Sequence, residues 1–138
     1  MTYNPDNIFA KILRGEIPSH KIFEDEATLA FLDVMPQAEG HTLVIPKEPA
    51  ENILDLSASA AAHLVQTTQK IARAVKSAMG APGLMIVQLN GSEAGQTVFH
   101  IHFHVIPRWS GLDLKFHARG AADGSVLKAQ ADKIRTAL

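Results

Sequence analysis

The 138-residue sequence contains no cysteine. Disulfides, thiolate-bound zinc, iron–sulfur clusters and a cysteine nucleophile are therefore excluded. An excess of one charge is also missing: 13 Lys and Arg stand against 14 Asp and Glu, a formal net charge of −1. That balance leaves no basic footprint for wrapping DNA or RNA. No apolar run approaches the roughly 18 residues that a membrane-spanning helix needs. The opening M-T-Y-N-P-D-N lacks the basic-then-apolar layout of a secretory leader. Internal repeats, low-complexity tracts and long polar linkers are absent as well. Aromatic residues make up only 6% of the chain, yet 46% is hydrophobic and 20% charged, an ordinary globular mixture. The expectation is one cytoplasmic domain with a real core, no nucleic-acid partner and no membrane partner.

The hydrophobic periods predict the elements. Ile8, Phe9, Ile12 and Leu13 form a helical stripe that Asp6 could cap, Gly15 ends and Pro18 keeps from continuing. Three strands are predicted next: His20 to Glu24, Thr28 to Val34 and His41 to Ile45. The acidic residues 24–26 form the turn between the first two, Gly40 is the entry turn of the third, and Pro46 is its stop. A long helix is predicted from Ser57 to Met79, with Leu64, Thr68, Ile71, Val75 and Met79 on its apolar stripe and Gly80 and Pro82 as terminators. Strands at Gly83 to Leu89 and Val98 to Pro107 follow, and Leu127, Ala131, Ile134 and Leu138 mark a last amphipathic helix. Short links between strands imply hairpins, so the class is α+β with a mostly antiparallel sheet of about five strands.

The informative stretch is Val98-Phe99-His100-Ile101-His102-Phe103-His104-Val105-Ile106-Pro107. Strand side chains alternate faces, which predicts Phe99, Ile101, Phe103 and Val105 on a core face and His100, His102 and His104 together on the other. Core packing does not require imidazole three times in a row, and like cations side by side repel. A metal site is one alternative. Positions i and i+4 of a strand lie about 13 Å apart, so all three rings cannot readily converge on one ion, although two with a distant ligand could. Nucleophilic catalysis is the other: imidazole is largely neutral near pH 7, forms covalent intermediates, and its neighbours can donate to developing negative charge. A phosphorus centre suits it. The preceding loop, Asn90-Gly91-Ser92-Glu93-Ala94-Gly95-Gln96-Thr97, has small residues whose backbone could approach a phosphate and offers Gln96 and Thr97 as side-chain donors, though it is no Walker A loop.

These residues resemble the histidine-triad (HIT) family of nucleotide-binding hydrolases. The pattern His-φ-His-φ-His-φ-φ, with φ apolar, is matched by His100 to Ile106, and similar segments stand at Ile8 to Pro18, Leu29 to Asp33, Pro36 to Ala38, Gly40 to Lys47 and Ala94 to His100. The resemblance implies a homodimer of HIT-like α+β subunits that hydrolyses purine nucleoside phosphoramidates or related adenylates. It implies His102 as the nucleophile on the α-phosphorus, forming a nucleotidyl-histidine. His104 would contact the phosphate or the bridging atom, and His100 and His41 would support the set. It also implies that Asn90, Gly95, Gln96 and Thr97 hold the phosphate region and that Asp33 binds the ribose. Ile8, Phe9, Ile12, Ile17, Phe31 and Val34 would line the base pocket. The chain 1–138 then reads as one domain with 108–138 as a C-terminal extension.

Departures from the family sharpen the expectation. Some members bind zinc through a Cys-x-x-Cys pair and a later histidine; those places hold Asn7, Ala10 and Pro49 here, so no structural zinc and no cofactor are expected. The transferase branch has glutamine at the third triad position, and His104 favours hydrolysis. Trp109, at the start of the extension, could shape the leaving-group side, form a dimer edge or pack on the sheet. His20, His63 and His117 match no motif and are read as surface or packing residues. A diadenosine-polyphosphate hydrolase, a non-catalytic nucleotide-binding regulator and a metalloenzyme using two triad histidines are the competing readings.

Overall fold

The computed structural model describes residues 2–111 and 120–138, so His117 lies outside the described residues. Helix α1 spans Ile8–Leu13 and is capped by Asn7, whose side-chain oxygen accepts the Ala10 N–H at 2.9 Å. Asp6 is not the cap, because a cap must directly precede the first helical residue, and the helix starts at Ile8, where the stripe starts, so the cap falls on Asn7. Strands β1 (Lys21–Glu24), β2 (Thr28–Leu32) and β3 (Thr42–Pro46) lead into α2 (Ala58–Met79). Then come β4 (Gly83–Val87), a 3₁₀ turn at Ser92–Ala94, β5 (Phe103–Arg108) and α3 (Gly124–Thr136). The sheet order is β1-β2-β3-β5-β4, and every neighbouring pair is antiparallel. Helix α2 starts one residue after the predicted Ser57, whose Oγ instead caps it by accepting the Ala60 N–H, and ends as predicted at Gly80, left-handed at φ +62°. Among the described residues no helix is long and apolar enough to cross a membrane.

Strands β2 and β3 are buried on both faces, and their alternation feeds two separate cores. Ala30, Leu32, Val44, Ile101 and Val105 pack against Leu64, Ile71, Ala74 and Val75 of α2 and against Leu127, Ala131 and Ile134 of α3. Leu29, Phe31, Leu43 and Ile45 point the other way, onto Phe9 and Ile12 of α1. Leu138 lies beyond α3 and is exposed. Thr28 belongs to the first side, where its hydroxyl meets that of Thr67 at 3.0 Å.

The predicted strand from Val98 is shorter than its periodicity. Residues 98–102 lie outside the ladder, since β4 pairs no further than Val87 opposite His104 and β3 no further than Val44 opposite Phe103. Ile101 N–H bonds instead to the Ala50 carbonyl at 2.9 Å, which draws this segment off the sheet. Of the triad only His104 is on the strand. Phe99 is not core but part-exposed, while Ile101, Phe103 and Val105 do join the larger core.

Two local features tie the frame together. Asp25 Oδ1 accepts from the Ala27 and Thr28 N–H groups and the Thr28 hydroxyl, closing the β1–β2 turn, and its Oδ2 meets His63 Nε2 of α2 at 2.8 Å. Hydrogen bonding to Asp25 raises the His63 pKa, so His63 is a packing residue with a partner. Gly40, at φ +86°, turns the chain into β3 just before His41, and a Cβ there would stand 2.6 Å from Met79 Cγ. Gly40→Ala is expected to lower stability by about 1–2 kcal/mol through backbone strain and displacement of Met79, read as a shift in the urea midpoint.

Candidate active site

A cavity of about 290 Å³ separates α1 from the sheet. Its walls contain Ile8, Phe9, Ile12, Ile17, Phe31, Asp33, Val34, His41, Gly95, Thr97, His102 and His104 of the residues singled out from sequence. Pro18, Ser19, Leu32, Met35, Gln37, Leu43 and Val98 also line it and were missed. Pro18, Leu32, Gln37, Leu43 and Val98 stand inside the family-like segments and Ser19 and Met35 just beside them, but the packing of α1 over β2 and β3 decides which of these positions reach the wall. Ile8, Val34 and Met35 remain about half exposed, so part of the cavity wall is apolar surface in contact with water.

The imidazoles are ordered by their hydrogen bonds, and the order fixes where each proton sits. The Gln37 backbone N–H donates to His41 Nδ1 at 2.9 Å, so that nitrogen holds a lone pair. Burial, and second the proximity of His102, push the His41 pKa down to about 3, so the ring is neutral with its proton on Nε2. That Nε2–H donates to His104 Nδ1 at 3.0 Å. A neutral His104 then carries its own proton on Nε2. Asp33 Oδ2 is 3.6 Å from His41 Nε2. Opposite a neutral ring this is a dipolar contact, and the Asp33 Oδ1 accepts the Met35 N–H at 2.9 Å.

His102 is arranged the other way round. Its Nδ1–H donates to the His100 carbonyl at 2.8 Å, since a carbonyl can only accept, and the lone pair of the neutral ring is on Nε2. The Phe9 ring meets His102 edge-on, with centroids 4.9 Å apart and planes at 89°, and His104 stands 4.9 Å from it on another side. Two neighbouring rings thus present a lone pair and a proton respectively. In chemical terms such a pair can offer a nucleophilic nitrogen beside a hydrogen-bond donor.

His100 does not face the cavity, contrary to the alternation argument. It is fully buried behind His102, its Nε2–H donates to the Pro46 carbonyl at 2.8 Å, and its Nδ1 meets the Tyr3 hydroxyl at 2.5 Å. The reason is the early end of the ladder: off the strand, residue 100 is free of the alternation. Asn90 and Gln96 are likewise not in the wall. The Asn90 amide pairs with Gln88 and the Ile53 N–H. Gln96 is buried, accepts from Gly91 N–H, and donates to the Glu51 and Val98 carbonyls, so it holds the loop shape. The loop N–H groups of Ala94, Gly95 and Gln96 close on Gly91 and Ser92 carbonyls. Trp109 is half-buried after β5 and outside the wall.

The residues at the family's zinc positions do not fit that metal. Asn7 caps α1 and Ala10 has no donor side chain. Asp33, His41 and His104 offer ligand atoms within 4.8 Å of one another, as do Asp25, Glu26 and His63. In the first group the His41–His104 hydrogen bond would have to break, with release of its proton, for those two nitrogens to take a metal.

A sheet of this order, closed by α1 over a histidine cluster, defines a histidine-triad architecture. A family profile described as "HIT domain" matches residues 14–111, and the chain belongs to that family. It is 43% identical over 125 residues to the Bacillus subtilis protein named Protein hit, covering 91% of this chain and 81% of that one. It is 42% identical over 101 residues to the Schizosaccharomyces pombe adenosine 5'-monophosphoramidase hnt1, covering 73% of each. Among solved structures, a Hit-like protein involved in cell-cycle regulation from Bartonella henselae superposes with a TM-score of 0.93 at 45% identity, over 99% of this chain and 100% of that one.

Proposed function

We propose that the chain is a nucleotide hydrolase that cleaves purine nucleoside 5'-phosphoramidates or related adenylates through a nucleotidyl-histidine. The observation that carries this reading is the opposed proton order of two cavity histidines: a lone pair on His102 Nε2 beside a proton on His104 Nε2. The His102 lone pair attacks the α-phosphorus and forms a P–N bond. The bond from phosphorus to the leaving nitrogen breaks; the His104 Nε2–H donates a hydrogen bond to that nitrogen, which takes its proton from water and departs as an amine. Water then attacks the phosphorus of the nucleotidyl-histidine and gives its proton to solvent; the P–N bond to His102 breaks, which releases the nucleoside monophosphate and restores the His102 lone pair. His41 keeps His104 in the donating tautomer throughout. The apolar wall of Ile12, Ile17 and Phe31 suits a purine, and Asp33 at the rim of β2 suits a ribose hydroxyl. The 42% identity to an adenosine monophosphoramidase supports the substrate class. We further propose that the working form is a cytoplasmic homodimer.

The test is rapid quenching with adenosine 5'-phosphoramidate followed by intact-mass measurement. One adenylyl group per chain, absent from His102→Ala, is the expected result. Turnover by a wild-type protein that never carries the adduct, with direct attack by water shown by inversion at a chiral phosphorus, would remove the covalent step.

A further inference from the structure

Behind the cavity, the N-terminal segment reaches the histidine cluster from below. His100 is fully buried, so water cannot stand in for a lost partner at either ring nitrogen. The Pro46 carbonyl can only accept, which puts the His100 proton on Nε2 and the lone pair on Nδ1. The Tyr3 hydroxyl therefore donates to Nδ1, at 2.5 Å, and the two rings meet edge-on with centroids 5.6 Å apart and planes at 70°. The ring is gripped at both nitrogens. The carbonyl of this same residue receives the His102 Nδ1–H that leaves the nucleophilic lone pair on Nε2.

We infer that Tyr3 is a positioning residue: its hydroxyl locks the His100 ring and, through the His100 carbonyl, sets the orientation of His102. The inference rests on the function proposed above. It goes beyond the triad itself, because the tyrosine lies far outside the motif, 97 residues from its partner in the chain. A second contact runs the same way. Asn7 caps α1 and thereby fixes Phe9, whose ring edge braces His102. The segment Tyr3–Phe9 thus touches the cluster at two of its rings. Tyr3 is no catalytic residue, since it lines no part of the cavity.

Tyr3→Phe removes one oxygen and keeps the ring contact. With adenosine 5'-phosphoramidate as substrate, the expected result is a kcat lowered about tenfold, the equivalent of one buried hydrogen bond, with KM within about twofold of wild type. In ¹⁵N spectra of the histidine rings, the His100 Nδ1 resonance is expected to move toward that of an unbonded lone pair in the variant. A Tyr3→Phe protein with a lower Tm but wild-type kcat below it makes the hydroxyl merely structural and overturns the inference. Wild-type spectra showing the His100 proton on Nδ1 overturn it without recourse to any variant. A wild-type protein inert toward the phosphoramidate overturns the proposed function and this inference together, whereas full activity in both proteins overturns this inference alone.

Discussion

Turnover of adenosine 5'-phosphoramidate is expected to fall by roughly 10⁴-fold or more in His102→Ala, with AMP affinity kept within about tenfold. Without the Nε2 lone pair there is no group in place to form the P–N bond, and water must attack an anionic phosphorus unaided. Binding behaves differently because it is spread over the wall. Phe9, Ile12, Ile17 and Phe31 form its apolar part and Asp33 its carboxylate; α1 places the first two, β2 places Phe31, while Ile17 and Asp33 follow those elements, and of these five only Phe9 has a ring contact with His102. Product formation by chromatography and AMP titration by calorimetry measure the two quantities separately. A variant that keeps a tenth of wild-type kcat would take the nucleophile's role from His102. A variant that loses both turnover and AMP binding would show a collapsed pocket instead.

The second large effect is on stability and comes from His41. Its pKa is held down to about 3 in the fold and returns to the ordinary 6.5 in the unfolded chain. A base with a depressed folded pKa gives stability that is whole above its unfolded pKa. That stability is lost as the pH falls, because the unfolded chain gains a proton that the folded one refuses. The window runs from pH 6.5 down toward 3. Between pH 7 and 5 the loss from His41 is expected to be about 2 kcal/mol. Burial lowers the His100 pKa too, against the pull of the Pro46 carbonyl, and adds to the slope in the same direction. Urea midpoints at the two pH values give the measurement, and His41→Asn is expected to flatten the dependence. The raised His63 pKa works in the opposite direction, so the comparison with the variant isolates His41: the same pH dependence in wild type and His41→Asn would show that His41 takes a proton in the folded state.

Much of this architecture was legible before any coordinates. Gly15 and Gly80 mark helix ends by local chemistry alone, and β2, β3 and the α2 stripe follow from residue periods. The site residues Asp33, His41, His102 and His104 were reachable by motif, and the fold puts them on one cavity. What failed depended on neighbours. Strand alternation at His100 presumes a ladder that β3 and β4 do not extend that far. Gln96 looked like a phosphate donor, yet a buried amide must satisfy its own polar atoms first, and the nearest carbonyls belong to Glu51 and Val98. Tyr3 gave no signal because its partner is remote in sequence and close only after folding.

Since β2 and β3 send alternate side chains into unconnected apolar clusters, the sheet works as a bulkhead. On the α2–α3 side, ballast keeps the hull upright. On the α1 side, the compartment holding Phe9, Ile12 and Phe31 can be reshaped while the far hold stays sealed. A change of side chain at Phe9, Ile12 or Phe31 is then felt by the smaller cluster and not by the one under α2 and α3.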